Sequence, residues 1–132
     1  MEPQERSGEI TQGDIDFLIS HFIEAYETGD IGKLLGLFGS HVRSDEGIGR
    51  DLVAKRYKQL FRSTRKRSMQ VRDLRWGSEG EGVVTVNFLV VVNYQERDSA
   101  APLRFLAGVE LLAYRDIKGL KISKFIQQEV AP

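Results

Sequence analysis

Residues 82–95 read GVVTVNFLVVVNYQ. From Val83 to Asn93 the polar side chains are Thr85, Asn87 and Asn93, and neither Gly nor Pro interrupts the run. β-Branched and aromatic residues dominate, which suits a pleated, half-buried surface far better than a helix. Alternation puts Val84, Val86, Phe88, Val90, Val92 and Tyr94 on one face, all apolar in body. Val83, Thr85, Asn87, Leu89, Val91 and Asn93 take the other, which is half apolar. The spacing therefore predicts an interior strand covered at least partly on both faces. At ~3.3 Å per residue such a strand is about twice the usual length, so it twists and bends and gives its sheet a concave side. A concave side predicts a pocket without saying what fills it.

Outward from this strand, period two persists from Ser68 to the C-terminus. Met69–Trp76 reads as a strand ended by the Gly-rich turn at 77–82. Leu103–Arg115 is the next, followed by a hairpin turn at Asp116-Ile117-Lys118-Gly119 and a last strand at Leu120–Val130. Short connections make these an antiparallel meander. Towards the N-terminus the period becomes helical. Thr11-x-x-Asp14 is a capping box opening a helix with Ile15, Leu18, Ile19, Phe22, Ile23 and Tyr26 on one stripe. Gly29 stops it, and Asp30 caps a shorter helix carrying Ile31, Leu34, Leu35, Leu37 and Phe38 up to Gly39. A short strand is expected across Ser40–Glu46 and a turn at Gly47-Ile48-Gly49. A third helix follows from about Asp51 to Thr64, burying Val53, Tyr57, Leu60 and Phe61. Residues 1–10 read as a short flexible leader and 11–132 as a single domain. The fold class is α+β: a curved antiparallel sheet of four long strands, wrapped on its concave side by three N-terminal helices.

The 132 residues suffice for one core without staples. The absence of cysteine excludes disulfides, thiolate metal sites and cysteine nucleophiles. Two histidines, His21 and His41, do not suggest a metal centre, and no cofactor is implied. The N-terminal stretch MEPQERSGEITQGD has no apolar signal-peptide core, and no apolar run approaches the roughly 20 residues that span a bilayer. The expected location is the cytoplasm, with no membrane contact. Net charge is zero, yet residues 1–30 carry eight acids against Arg6, and residues 52–72 carry eight bases and no acid. Such asymmetry marks either a polyanion surface or an acidic first helix lying beside the basic third.

The element order, with AYETGDIGKLLGLF (25–38), Gly47-Ile48-Gly49-Arg50 and VAKRYKQLF (53–61), resembles the nuclear transport factor 2-like superfamily. That group includes ketosteroid isomerase and the SnoaL-like polyketide cyclases, and the resemblance runs over roughly residues 11–130. It implies a cone-shaped, cystatin-like wrap of sheet around a cavity. Phe22, Tyr26, His41, Tyr57, Trp76, Phe88, Leu112 and Tyr114 are the expected lining. The superfamily hosts isomerases, dehydratases, cyclases, epoxide hydrolases and non-enzymatic modules, so the resemblance speaks to fold before function.

Glu110 is the most informative candidate. It sits in FLAGVELLAY on the face that carries Leu106, Leu112 and Tyr114. By the resemblance to ketosteroid isomerase, a protonated acid at the matching place polarises a substrate carbonyl, and desolvation is what keeps such an acid neutral. The alternative places Glu110 on the outer sheet surface, facing solvent or pairing with Arg104 or Lys124. Asp45 and Glu46 fall where the same enzyme keeps its general base; alternatively they are turn acids or cap the third helix. The family's oxyanion tyrosine should lie eight residues before the Gly-Asp aspartate, where this chain has Phe22, and neither Tyr26 nor Tyr57 matches. That departure argues against an intact isomerase site. His41 could exchange a proton near neutrality but has no carboxylate orienter in sequence, which favours an edge role. GSEGEG (77–82) is no phosphate loop, because no Lys-Ser/Thr and no helix follow.

Three function classes compete. The first is a pocket for a small, mostly apolar molecule, with or without weak isomerase- or cyclase-type acid–base chemistry on Glu110, Asp45 and Glu46. The second is a dimerisation or interaction module. A homodimer through the outer sheet face is expected, with Val83, Leu89 and Val91 beside Val109, Leu111 and Ala113 as its apolar patch. The third is a polyanion or nucleic-acid binder through the basic third helix, ranked last because Tyr57 and Phe61 belong to the buried stripe.

Overall fold

The computed structural model describes residues 9–130. The expected leader at 1–10 lies outside that range apart from Glu9 and Ile10, and Ile10 is buried in the core. Helix α1 spans Gln12–Thr28, α2 Ile31–Leu35 and α3 Arg50–Ser63. Strands β1 (Phe38–Ser44), β2 (Gly47–Ile48), β3 (Thr64–Gly80), β4 (Val83–Glu96), β5 (Leu103–Asp116) and β6 (Gly119–Glu129) form one sheet in the order β2-β1-β6-β5-β4-β3. The four long strands are those expected, joined as an antiparallel meander with β4 in its interior. The chain between α2 and α3 adds β1, parallel to β6, and the two-residue β2.

Local chemistry explains the helix boundaries. The Thr11 hydroxyl accepts the Asp14 N–H at 3.2 Å while the Asp14 carboxylate accepts the Thr11 N–H at 2.9 Å, closing the expected capping box. At the other end Gly29 turns left-handed, φ 74°, and its N–H returns to the Ala25 carbonyl. The Asp30 carboxylate accepts the Lys33 N–H at 3.0 Å to start α2. This helix is shorter than expected. It ends at Leu35, and the Ile122 N–H draws the Leu37 carbonyl into pairing with β6, so Phe38 and Gly39 lie in β1. A side chain at Gly39 would sit 2.7 Å from the Tyr114 hydroxyl, which is why the strand carries a glycine there.

Register decides what the sheet buries. Val84, Val86, Phe88, Val90 and Val92 of β4 stand opposite Ala113, Leu111, Val109, Ala107 and Phe105 of β5. This is the inner face, packed against Phe22, Leu34 and Tyr57 in one continuous core. The residues expected to make the outer patch, Val109, Leu111 and Ala113, are therefore inside. Opposite Val83, Leu89 and Val91 on the outer face are instead Tyr114, Gly108 and Leu106. Irregularities between Arg72 and Arg75 and at both ends of β3 disturb the pairing with β4 and sharpen the sheet's twist. Helices α1 and α3 meet through rings, Tyr26 lying 6.3 Å from Tyr57 and 6.2 Å from Phe61. Among the described residues no ion pair joins the acidic helix to the basic one. No helix of the described residues is long and apolar enough to cross a membrane.

Candidate functional site

A cleft of about 640 Å³ opens between α3 and the inner face of the sheet. Its apolar walls are Met69 of β3, Val90 and Val92 of β4, Phe105 of β5, and Leu52 and Leu60 of α3. Each position follows from alternation: Met69 pairs with Val92, and Val92 with Phe105, so all three share the inward parity. The deep polar groups are the phenols of Tyr26 and Tyr57, which stand edge to face and have no hydrogen-bond partner among the described residues. Burial pushes the Tyr26 phenol up to about 12 and raises that of Tyr57 as well, so both are neutral donors at ordinary pH.

The mouth is ionic. Arg56, one position before Tyr57, presents Nη1 to Asp45 Oδ2 at 3.5 Å and Glu46 Oε1 at 3.4 Å. Its guanidinium also lies 5.8 Å from the Tyr57 ring centroid. Asp45 is held a second way, since its carboxylate accepts the Gln127 backbone N–H of β6 at 3.0 Å. Glu46 lines the cleft together with Gln127. The turn between β1 and β2 is thus tied to α3 by Arg56 and to β6 by Asp45.

Four expected site residues meet here: Tyr26, Tyr57 and Glu46 in the lining, and Asp45 behind Glu46. The others lie elsewhere. Glu110 is exposed on the outer sheet face, opposite Asn87 and Ile126, so it does not enter the cleft. The reason is parity, because its neighbours Val109 and Leu111 take the buried side. Leu112 and Tyr114 share its outer face. Phe22 is core, its ring 5.6 Å from that of Phe125, and Phe88 is buried in the same core. Trp76 donates its indole N–H to Gln12 at 2.8 Å, pinning β3 to the start of α1. His41 is exposed on β1 with its Nδ1 3.1 Å from the Ser40 hydroxyl. Among the described residues no group of His, Asp and Glu is arranged to hold a metal ion.

Sequence reasoning missed Arg56, Phe105 and Gln127 as site residues. Phe105 belongs to the all-apolar parity of β5, a readable signal. Nothing local distinguishes Gln127 from Gln128, and Arg56 is one base within a basic run.

A candidate scytalone dehydratase from Novosphingobium aromaticivorans superposes with a TM-score of 0.83 at 12% identity, over 90% of this chain and 83% of that one. A nuclear transport factor 2-like superfamily protein from Salmonella enterica gives 0.79 at 14% identity, over 91% of each chain. The chain has the nuclear transport factor 2-like fold. A hexachlorocyclohexane dehydrochlorinase of the same architecture gives 0.78 at 13% identity, over 91% of this chain and 85% of that one. No family model matches the sequence, and no curated protein does. Within the nuclear transport factor 2-like fold the cleft of this chain is built by α1, α3 and the inner faces of β3 to β6.

Proposed function

We propose that the protein binds a small, mostly apolar molecule in the cleft beneath α3, with Tyr26 and Tyr57 donating to an oxygen of that molecule. The observation that carries this reading is the pair of phenols, without partners among the described residues, beside the apolar wall of Met69, Val90, Val92 and Phe105. The phenol oxygens face the cleft, where a neutral O–H donates to a ligand oxygen in place of water. Acid–base chemistry of the isomerase or cyclase type rests on Glu46, the cleft's one carboxylate, with Asp45 behind it. Arg56 holds both acids, so the chemistry is weak and binding comes first. The dehydratase and dehydrochlorinase names of structural neighbours are in keeping with proton transfer in such a cleft, at identities that support fold alone.

Titration of 2-acetylnaphthalene, a neutral aromatic ketone, tests the reading. Saturable binding is expected, with amide NMR shifts at Met69, Val90 and Val92, and Tyr57→Phe should weaken it about fivefold. Shifts confined to the outer sheet face, or no saturation at about 1 mM, would overturn it; a Kd of that order is only about 4 kcal/mol of binding.

One observation favours a second reading, self-association. No helix covers the outer face, where Leu89, Leu106, Leu112 and Ile126 are only half-buried. A second copy is the partner of matching shape. The polyanion reading has less support, because Tyr57 and Phe61 are buried and leave Lys58 and Arg62 without an exposed aromatic beside them.

A further inference from the structure

We propose that the outer sheet face docks an acidic protein surface with an apolar centre, and that a second copy of this chain is its weaker occupant. The inference concerns the uncovered face considered above for self-association, and specifies the charge of the partner that fits it.

The strand pairing maps that face row by row, since the neighbours of buried inner residues point outward. Arg75, Asn87, Glu110 and Ile126 make one row, and Arg72, Leu89, Gly108 and Gln128 the next. Val91 and Leu106 continue the apolar middle, beyond which Arg104 pairs with Asn93 and Lys66 with Gln95. On the far side of the Glu110 row, Leu112 pairs with Lys124, and Lys124 with Arg43 of β1. The leucines thus hold the middle and the bases frame it: Arg72 and Arg75 along β3, Arg43 and Lys124 across β1 and β6, Lys66 and Arg104 at one end. Lys124 is half-buried and the other five are exposed.

This frame is not neutralised within the chain. Among the described residues none of these bases is in an ion pair. The acids that share the face, Asp73, Glu110 and Glu129, cluster in a shallow depression around Gly108, beside Arg75. That leaves two pairs of bases without acids. Arg43 and Lys124 stand side by side on neighbouring strands, where like charges destabilise a sheet until an outside acid offsets them. Lys66 and Arg104 leave the other end basic in the same way. The chain as a whole is neutral, so the excess is local to this face.

A second copy matches the face in shape but brings its own bases towards these. A surface with acids around an apolar centre satisfies both the leucines and the frame. Nucleic acid would satisfy the frame alone, leaving Leu89, Val91 and Leu106 against phosphates.

The test needs an acidic partner of the right shape, and this chain supplies one: Arg43→Glu, Lys66→Glu, Arg104→Glu and Lys124→Glu combined keep the apolar centre and invert its frame. Lys66→Glu with Arg104→Glu alone is the milder probe should the fourfold variant lose its wild-type circular dichroism. Dye-labelled probe is titrated with unlabelled wild type by fluorescence-detected sedimentation, beside labelled wild type titrated with wild type. The probe should pair about tenfold more tightly than wild type does with itself at about 50 mM salt, and the two should converge at about 500 mM. Amide NMR shifts of wild type should fall at Leu89, Val91 and Leu106. Equal affinities at the lower salt overturn the inference and leave self-association standing. Shifts confined to α3 overturn it as well, as does tighter binding of wild type to a DNA duplex than to the probe. If wild type pairs with neither the probe nor itself, the inference and self-association both fail.

Discussion

Arg67 is the side chain that locks three elements together. Its Nε donates to the Tyr26 carbonyl at 2.9 Å, and Nη1 donates to the Thr64 carbonyl and hydroxyl at 3.2 and 2.8 Å. The guanidinium also sits 4.8 Å over the Phe61 ring, so α1, the start of β3 and the end of α3 share one cation. Because Tyr26 is the residue it holds, Arg67 also fixes one of the two cleft phenols. Arg67→Lys keeps the charge but loses the fork, and should destabilise by about 1–3 kcal/mol in urea unfolding. Gly29 is the complementary position: an added Cβ would lie 2.6 Å from Arg67 Nη2, at a φ of 74° that side chains resist. Gly29→Ala should therefore cost about 1–2 kcal/mol. Urea midpoints within about 0.5 kcal/mol of wild type, the range of an ordinary surface change, would show that this junction is not structurally important.

At the scale of the element, α1 begins on a carboxylate that titrates. Partial burial raises the Asp14 pKa, but the Thr11 N–H and Arg115, 2.8 Å away, more than offset it and hold the carboxyl below its ordinary value. A depressed folded pKa stabilises the folded state above the unfolded value near 3.8 and loses that contribution as pH falls through the folded value. Asp14→Asn should thus lower stability at pH 7 by about 1 kcal/mol and have progressively less effect below pH ~3.8, measured by urea titration at each pH. An equal effect at pH 7 and pH 2.5 would exclude the charge as the cause. The same helix was legible from its stripe and cap, and β4 from its all-apolar face. Strand β5 shows where reading went astray. Phe105, Ala107, Val109, Leu111 and Ala113 form an all-apolar parity that alone places Glu110 outside. Giving the family's catalytic position precedence over that pattern put Glu110 in the pocket. Parity was the better guide, since a strand has only two faces and burying one settles the other. The mouth was illegible for a different reason: Asp45, Arg56 and Gln127 are brought together by tertiary approach, and no spacing encodes it.

For the whole molecule, assembly turns on the outer sheet face. Its central strands offer Leu89, Leu106 and Leu112, flanked by Ile126 of β6, with Glu110 and Asn87 between them. The β3 side is polar and basic, with Gln70, Arg72 and Arg75 opposite Val91, Leu89 and Asn87. A two-fold axis through the centre would bring each copy's leucines onto the other's and place Glu110 within reach of the partner's basic flank, burying a patch that a monomer leaves half wet. The helices and the cleft mouth lie on the opposite side, so dimerisation leaves ligand access open. Sedimentation equilibrium at tens of micromolar should give twice the chain mass of 15.0 kDa. Leu112→Asp, which sets a charge on that face without touching the inner core, should return the mass of one chain while far-ultraviolet circular dichroism stays unchanged. Its affinity for 2-acetylnaphthalene should also match that of wild type, because Leu112 points away from the cleft. A wild-type mass of 15.0 kDa at that concentration would leave the outer face without a partner of its own kind.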